Sequence, residues 1–154
     1  MDPQALRACP LFQTLSSAQL AQVAAIARRR ELSGGEAVFR EGEAGTELFV
    51  VLSGRVRISK RVPGVGEEAL SILDPGGYFG EMALFDDAPR SADALAHTPC
   101  AVAAIARDDL DQLLFVDKEL AYALLWTFVR TLSTRLREMN DKIQGFFAMT
   151  GPFR

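Results

Sequence analysis

The hydrophobic pattern of the chain changes its period twice. Apolar residues recur at helical spacing over the first thirty positions, alternate with polar ones from about residue 31 to 107, and then return to helical spacing. Glycine and proline turns divide the alternating part into short runs, which is typical of a β-sandwich or barrel. The pattern therefore predicts a mainly β fold with flanking α-helices.

The N-terminal segment, residues 1–30, is predicted to be helical. Its main helix is expected to run from Ser17 to Arg30, with Ser16 or Ser17 as the N-cap. The basic run Arg28-Arg29-Arg30 suits the C-terminus of that helix, where the helix dipole favours positive charge.

The central segment, residues 31–107, is predicted to form the β-domain. One strand lies in GGEAVFREGE, two strands in TELFVVLSGRVRISKRV meet near Ser53-Gly54, and the remaining strands are EALSIL, SADALAHT and CAVAAIA. Loops are expected at Pro63–Glu67 and Asp74–Gly77. Alternation divides one strand into two faces, with Val56, Ile58 and Lys60 on one side and Arg55, Arg57 and Ser59 on the other.

The C-terminal segment, residues 108–145, is predicted to contain two helices, followed by a short tail at 146–154. Asp108 or Asp109 caps a short helix through Leu114. Asp117 caps a long helix that reaches about Lys142 or Gln144, and Gly145 is expected to end it. All of these segments are expected to belong to one domain.

A narrow apolar stripe follows the long helix. Its members recur at alternating spacings of four and three, as in a coiled-coil seam: Leu125, Val129, Leu132, Leu136, Met139 and Ile143. Polar residues occupy the other faces, among them Arg130, Arg135 and Arg137. The stripe predicts a homodimer through the helix at 117–144, and the alternative is a helix that packs wholly on its own domain.

Composition narrows the classes of function. The 154 residues fit one domain, and a net charge of −3 with a pI near 5.2 argues against a surface that binds nucleic acid. No apolar run of membrane-spanning length and no signal-peptide pattern is seen, and Cys9 and Cys100 form no CxxC pair. We therefore expect a cytoplasmic protein without membrane contact. No catalytic constellation or metal site is expected, since His97 is the only histidine and Asp86-Asp87 fits a loop.

The stretch FGEMALFDDAPRSA, residues 79–92, carries the most specific chemistry. A short helix is expected to begin at Glu81, and its free N–H groups suit an anion, while Gly80 lets a ligand approach the backbone. Arg90 can donate two parallel hydrogen bonds to a phosphate. Glu81 suits hydroxyl groups instead, so the pair selects a sugar phosphate. Taken alone, Glu81 also fits a helix N-terminus and Arg90 a solvated turn.

The stretch resembles the phosphate-binding cassette of cyclic nucleotide-binding domains. CPLFQTLSSAQL, the glycine-punctuated strands and TRLREMNDKIQGFFAMTG resemble other parts of that family, so the likeness covers nearly the whole chain. The resemblance implies an antiparallel β-roll or jelly-roll barrel with a long C-terminal dimer helix. It also implies that Glu81 accepts the ribose 2′-hydroxyl, that Arg90 and Ser91 bind the cyclic phosphate, and that backbone amides complete the cradle at Gly80, Glu81, Met82 and Ala83. Apolar walls for the sugar and base are expected from Val50, Leu52, Ile72, Leu73 and Ala92.

The resemblance further implies a non-enzymatic receptor that signals through its C-terminal helix to a partner protein. In catabolite-activator-type members, polar residues of that helix reach the base, and the matching positions here are Met139 and Asn140. The family has a pair of hydroxyl residues at these positions, and this chain does not. The choice of base therefore stays open, with cAMP favoured over cGMP. Only nine residues follow Gly145, so direct DNA binding is not expected. The alternatives are a scaffold that does not signal through a ligand, and the regulatory part of a transcription factor or other larger protein.

Overall fold

The structure, a computed structural model, describes residues 1–150 and contains two antiparallel sheets of four strands each. The strand order is β1-β8-β3-β6 in one sheet and β2-β7-β4-β5 in the other. This arrangement confirms the predicted fold class of antiparallel β-structure with flanking helices. The strands are β1 Ala27–Leu32, β2 Ala37–Phe39, β3 Glu47–Ser53, β4 Val56–Val62, β5 Gly66–Leu73, β6 Tyr78–Phe79, β7 Asp93–Ala96 and β8 Cys100–Ala106.

Helices flank the sheets at both ends of the chain. There are three α-helices among residues 1–150: α1 Ser17–Ile26, α2 Arg107–Val116 and α3 Lys118–Thr150. Short 3-10 helices at Pro3–Leu6 and Pro10–Phe12 precede α1, and a third, Glu81–Leu84, lies between β6 and β7. Two predicted caps are confirmed. Ser16 and Gln19 form a reciprocal capping box at α1, and the Asp117 carboxylate accepts from the Leu120 N–H at α3, with an N–O distance of 2.9 Å.

Two clusters of buried side chains form the core. The larger one joins the N-terminal helices to α2 and α3 over one face of the β1-β8-β3-β6 sheet, and includes Leu20, Ile105, Leu110 and Leu124. The other fills the space between the sheets around Phe49, Phe79 and Val102. The C-terminal helices therefore share apolar packing with the sheet that leads into the cassette.

The predicted N-terminal helix is too long. The observed helix, α1, ends at Ile26, and Arg28, Arg29 and Arg30 lie on the exposed part of β1. Antiparallel pairing of Ala27–Leu32 with β8 supplies the backbone hydrogen bonds of this segment. A strand partner 68 to 78 residues away in sequence thus overrides the local helical pattern.

The C-terminal boundaries also differ from the prediction. Asp108 and Asp109 lie in the first turn of α2, which has no side-chain cap and extends to Val116. Gly145 does not end α3, which continues through it to Thr150. An exposed glycine costs a helix only about 1 kcal/mol relative to alanine, so it does not by itself break a long helix. Of the predicted tail, residues 146–150 are helical and 151–154 lie outside the described residues.

The predicted faces of β4 hold only in part. Val56 is buried as expected, but Ser59 is completely buried and donates to the Glu67 carboxylate, at 2.8 Å. Arg57 donates to the same carboxylate, and Lys60 is exposed. A register shift between Ile58 and Ser59 opposite β5 breaks the strict alternation on which the prediction relied.

Candidate functional site

The cassette begins where β6 ends, at Gly80. Its φ of +75° lies in the left-handed region, and the chain then enters the 3-10 helix Glu81–Leu84. A Cβ at this position would stand 2.7 Å from Arg90 Nη1 and 3.0 Å from the Glu47 carbonyl oxygen. Glycine is therefore required here both by backbone conformation and by the closeness of Arg90. The short helix that was predicted to begin at Glu81 is this four-residue 3-10 helix.

Arg90, near the end of the cassette, is buried, with only 8% of its surface exposed. Its Nη1 donates to the Gly80 carbonyl oxygen at 3.2 Å, and its Nη2 donates to the Glu47 carbonyl oxygen at 2.9 Å. The guanidinium lies 4.1 Å from the centroid of the Phe39 ring. Burial lowers the pKa of Arg90 from its usual value, while Glu47, Glu43 and Glu81 act in the opposite direction. An arginine nonetheless stays charged near neutral pH, so the site holds a fixed, oriented cation.

The protein does not use all the hydrogen-bond donors of this cation. The Arg90 Nε is buried and has no hydrogen-bond partner among residues 1–150. A guanidinium has five N–H donors; the two that bond to carbonyl oxygens fix its orientation, and the Nε–H has no protein acceptor. An unpaired buried donor is costly, and an anionic ligand would remove that cost.

A second close approach shapes the cradle from the opposite side, at Gly45. A Cβ there would stand 2.7 Å from the Ala83 Cβ and 3.1 Å from Arg90 Nε. The sequence analysis gave this glycine no role. Its contribution is visible only once the β2–β3 loop is packed against the cassette.

Glu81 is held by an ion pair that the sequence analysis missed. Its carboxylate is buried, with the residue 8% exposed, and Oε1 accepts from Arg135 Nη1 of α3. The Arg135 guanidinium also lies 5.1 Å from the centroid of the Tyr78 ring. Helical spacing could have predicted that Arg135 faces the β-domain. It follows the buried Phe128 by seven residues and so lies on the same side of the helix.

These residues surround a pocket of about 420 Å³, within the range of small-molecule sites. Its walls combine the charged pair Glu81 and Arg90 with hydroxyl groups and apolar side chains. The pocket is lined by the cassette residues Gly80, Glu81, Met82, Ala83, Arg90, Ser91 and Ala92, together with Phe39, Ile58, Ser71, Leu73, Tyr78, Phe79, Asp86, Ala88, Pro89 and Arg135. All seven predicted cassette residues therefore meet around one cavity.

Of the five predicted apolar wall residues, two line the pocket and three do not. Leu73 and Ala92 line the pocket, whereas Val50, Leu52 and Ile72 do not. Val50 is buried in the cluster beneath the helices and Leu52 packs against the same cluster. Ile72 is 44% exposed, because it lies between the pocket-lining residues Ser71 and Leu73 and alternation turns it away.

Met139 and Asn140 lie apart from this cavity. Both are exposed on α3, and neither lines the pocket of its own chain. A contact with the base therefore remains a prediction that depends on a second chain. His97 is exposed, and residues 1–150 contain no group of three or more potential metal ligands. No helix in that range is both long and apolar enough to cross a membrane.

Comparison with known proteins agrees with this geometry. The family model described as "Cyclic nucleotide-binding domain" matches residues 29–117. A CRP-like cAMP-activated global transcriptional regulator of Mycobacterium tuberculosis is 32% identical over 133 residues, which are 86% of this chain and 58% of that protein. The chain thus spans little more than half the length of this relative.

Solved structures of two kinds of regulator share the fold. The catabolite activator protein of Thermus thermophilus has a TM-score of 0.79 and 31% identity, over 89% of this chain and 62% of that one. The regulatory domain of Toxoplasma gondii PKA, crystallised with cAMP, has a TM-score of 0.66 and 30% identity, over 72% of this chain and 42% of that one. The family match covers more than half of the chain and includes the whole cassette, so this chain belongs to the cyclic nucleotide-binding domain family.

Proposed function

We propose that the chain is a receptor for a 3′,5′-cyclic purine nucleotide, with cAMP favoured over cGMP, and that it signals without catalysing a reaction. The observation that carries the proposal is the buried, oriented Arg90, which has an unpaired Nε and stands at a pocket shared with Glu81. The guanidinium binds the cyclic phosphate, Ser91 adds a hydroxyl to it, and Glu81 accepts the ribose hydroxyl.

The backbone of the cassette supports this assignment. Close approaches at Gly80 and Gly45 bring main chain against the guanidinium. We propose that the backbone amides of the Glu81–Leu84 turn, which follows Gly80, donate to the phosphate. Leu73 and Ala92 offer apolar surface to the sugar and base. The relatives that name a ligand support the preference, since one is described as cAMP-activated and one was crystallised with cAMP.

We propose that binding is transmitted through α3. Arg135 of this helix holds the carboxylate that a ribose hydroxyl would use, so occupancy and the position of α3 are linked. Phe85 of the cassette adds an apolar link, as its ring packs edge-on against Phe128 at 4.8 Å between centroids. A partner protein that reads α3 would receive the signal.

The same helix is proposed to form a homodimer. The six stripe residues from Leu125 to Ile143 are all exposed, between 46% and 60%. Isolated apolar residues on a surface are ordinary, but six in coiled-coil register on one helix are typical of a helix–helix interface. A second copy of α3 would cover them.

Calorimetric titration of the purified protein with cAMP and cGMP tests the ligand. We expect both to bind at one site per chain, cAMP more tightly, with 5′-AMP weaker because its phosphate is not held in the ring. Failure of both cyclic nucleotides to bind the folded protein would refute the receptor function and favour a scaffold.

A further inference from the structure

Arg107, the first residue of α2, contacts both sides of the phosphate cradle. Its Nη1 donates to the carbonyl oxygens of Ala83, at 3.3 Å, and Asp86, at 3.4 Å, and pairs with the Asp87 carboxylate at 2.9 Å. Its backbone N–H donates to the Thr46 carbonyl oxygen at 2.8 Å. One residue thus bonds to the cassette and to the start of β3.

These acceptors belong to the backbone that surrounds Arg90. Ala83 is the residue that Gly45 approaches most closely, and Thr46 directly follows that glycine. Glu47, the next residue, presents the carbonyl oxygen that holds Arg90 Nη2. Arg107 therefore fixes the distance between the two backbone segments that flank the guanidinium.

The helix that begins at Arg107 packs with α3. Leu110 of α2 is 2% exposed and lies in one apolar cluster with Leu120 and Leu124 of α3 and with Leu84 of the cassette. A displacement of the cassette backbone that is held by Arg107 would therefore also act on α2 and its packing. The pocket does not include Arg107, so any effect on the ligand must be indirect.

We propose that Arg107 is a positioning residue for nucleotide binding, which holds the end of the cassette to α2 so that the amides of the 3-10 helix and Arg90 meet the phosphate together. This inference rests on the proposed receptor function. A simple surface ion pair with Asp87 is the competing explanation. The Asp87 side chain is 95% exposed, and ion pairs with such exposed groups contribute little to stability. The two carbonyl bonds, rather than the carboxylate, should then carry the effect.

The first test compares cAMP affinity among single variants by calorimetry. Arg107→Ala should weaken binding about tenfold, as expected when hydrogen bonds from a charged donor are lost. Arg107→Lys keeps a charged donor and should recover part of that loss, while Asp87→Ala should stay within about twofold of the parent. Arg28→Ala is the matched control, since Arg28 is exposed on β1 and its side chain makes no hydrogen bond or ion pair with residues 1–150. A tenfold loss in Asp87→Ala, or none in Arg107→Ala, overturns the proposal.

The second test separates positioning from folding through a double-mutant cycle with Arg90→Ala. If Arg107 acts through the guanidinium site, the double variant should bind only slightly more weakly than Arg90→Ala alone. If the loss of cAMP affinity in the double variant equals the product of the two single-variant losses, the two residues act independently and the inference is refuted. Variants are compared below their own unfolding temperatures, and Arg107→Lys replaces Arg107→Ala in the cycle if the alanine variant does not fold. If the parent protein itself binds no cAMP, the receptor function fails instead.

Discussion

The Arg135 guanidinium and the Glu81 carboxylate form an ion pair that joins the C-terminal helix to the ligand-binding cassette. The two residues are 54 positions apart in the chain. The Glu81 side chain is largely buried, whereas the Arg135 side chain is 44% exposed. The contact thus places the proposed sugar-binding carboxylate under the direct influence of α3.

The stability of this pair can be measured. Arg135→Ala should lower the free energy of unfolding by about 1 kcal/mol or more, because water screens the partly exposed guanidinium but the buried Glu81 carboxylate loses its partner. Urea unfolding of Arg135→Ala, Glu81→Ala and the double variant gives their coupling. Arg137→Ala, an exposed neighbour on the same helix, is the control and should have no effect. Strict additivity of the Arg135 and Glu81 effects would show that the pair is not formed in solution.

Arg90 is expected to dominate nucleotide affinity. Arg90→Ala removes the fork at the phosphate and should weaken cAMP binding by about 1.5–3 kcal/mol, roughly ten- to a hundredfold. Arg90→Lys should also bind weakly, because an ammonium group cannot hold the Gly80 and Glu47 carbonyl oxygens and a phosphate in the same planar geometry. Calorimetry measures both, with far-ultraviolet circular dichroism to verify folding. Parental affinity in Arg90→Ala would show that the phosphate binds elsewhere.

The apolar stripe on α3 should determine the oligomeric state. Replacing both Leu132 and Leu136 by Asp would bury unpaired charges in a dimer interface and should give monomers in light scattering. The same two changes moved one position along the helix, to Ser133 and Arg137, provide a matched control that should stay dimeric. A dimer that survives the leucine changes would place the interface on another surface, and a monomeric parent would remove the proposal altogether.

Asn140 is expected to act on base choice only in the dimer, because it does not line the pocket of its own chain. Asn140→Ala should change the difference in binding free energy between cAMP and cGMP by about 1 kcal/mol, because an amide–base hydrogen bond is lost. The same substitution in the Leu132→Asp, Leu136→Asp monomer should leave this difference unchanged. Equal losses for the two nucleotides in the dimer would exclude a role in reading the base.

The thiol of Cys9 should make stability fall at high pH. Burial raises the pKa of Cys9 to about 12 from a value of 9.0, and a backbone hydrogen bond with Leu11 opposes the shift. The unfolded thiol loses its proton first as pH rises above 9.0, so the unfolded state gains stability between pH 9 and about 12. Chemical unfolding of Cys9→Ser and the parent across this range should show a smaller pH dependence for the variant. An identical pH dependence in both proteins would contradict this assignment.

The sequence by itself determined the features that depend on local chemistry. Alternation and glycine turns predict most strands, because a half-buried strand needs a period of two. The caps at Ser16 and Asp117 are determined by residues within one helical turn. The cassette can also be predicted from sequence, since Gly80, Glu81 and Arg90 lie within eleven positions and their chemical types favour a sugar phosphate.

Only the tertiary structure decided the contacts between distant segments. Ala27–Leu32 is a strand because β8 supplies its hydrogen-bond partners, although its own sequence continues a helical pattern. Gly45 faces Arg90, Arg107 reaches the cassette and Arg135 reaches Glu81 because packing brings together parts of the chain that have no local relationship. Local periodicity determines which face of an element is apolar, but it does not determine which distant residue that element will meet. That choice follows from simultaneous burial of apolar surface and pairing of polar groups throughout the fold.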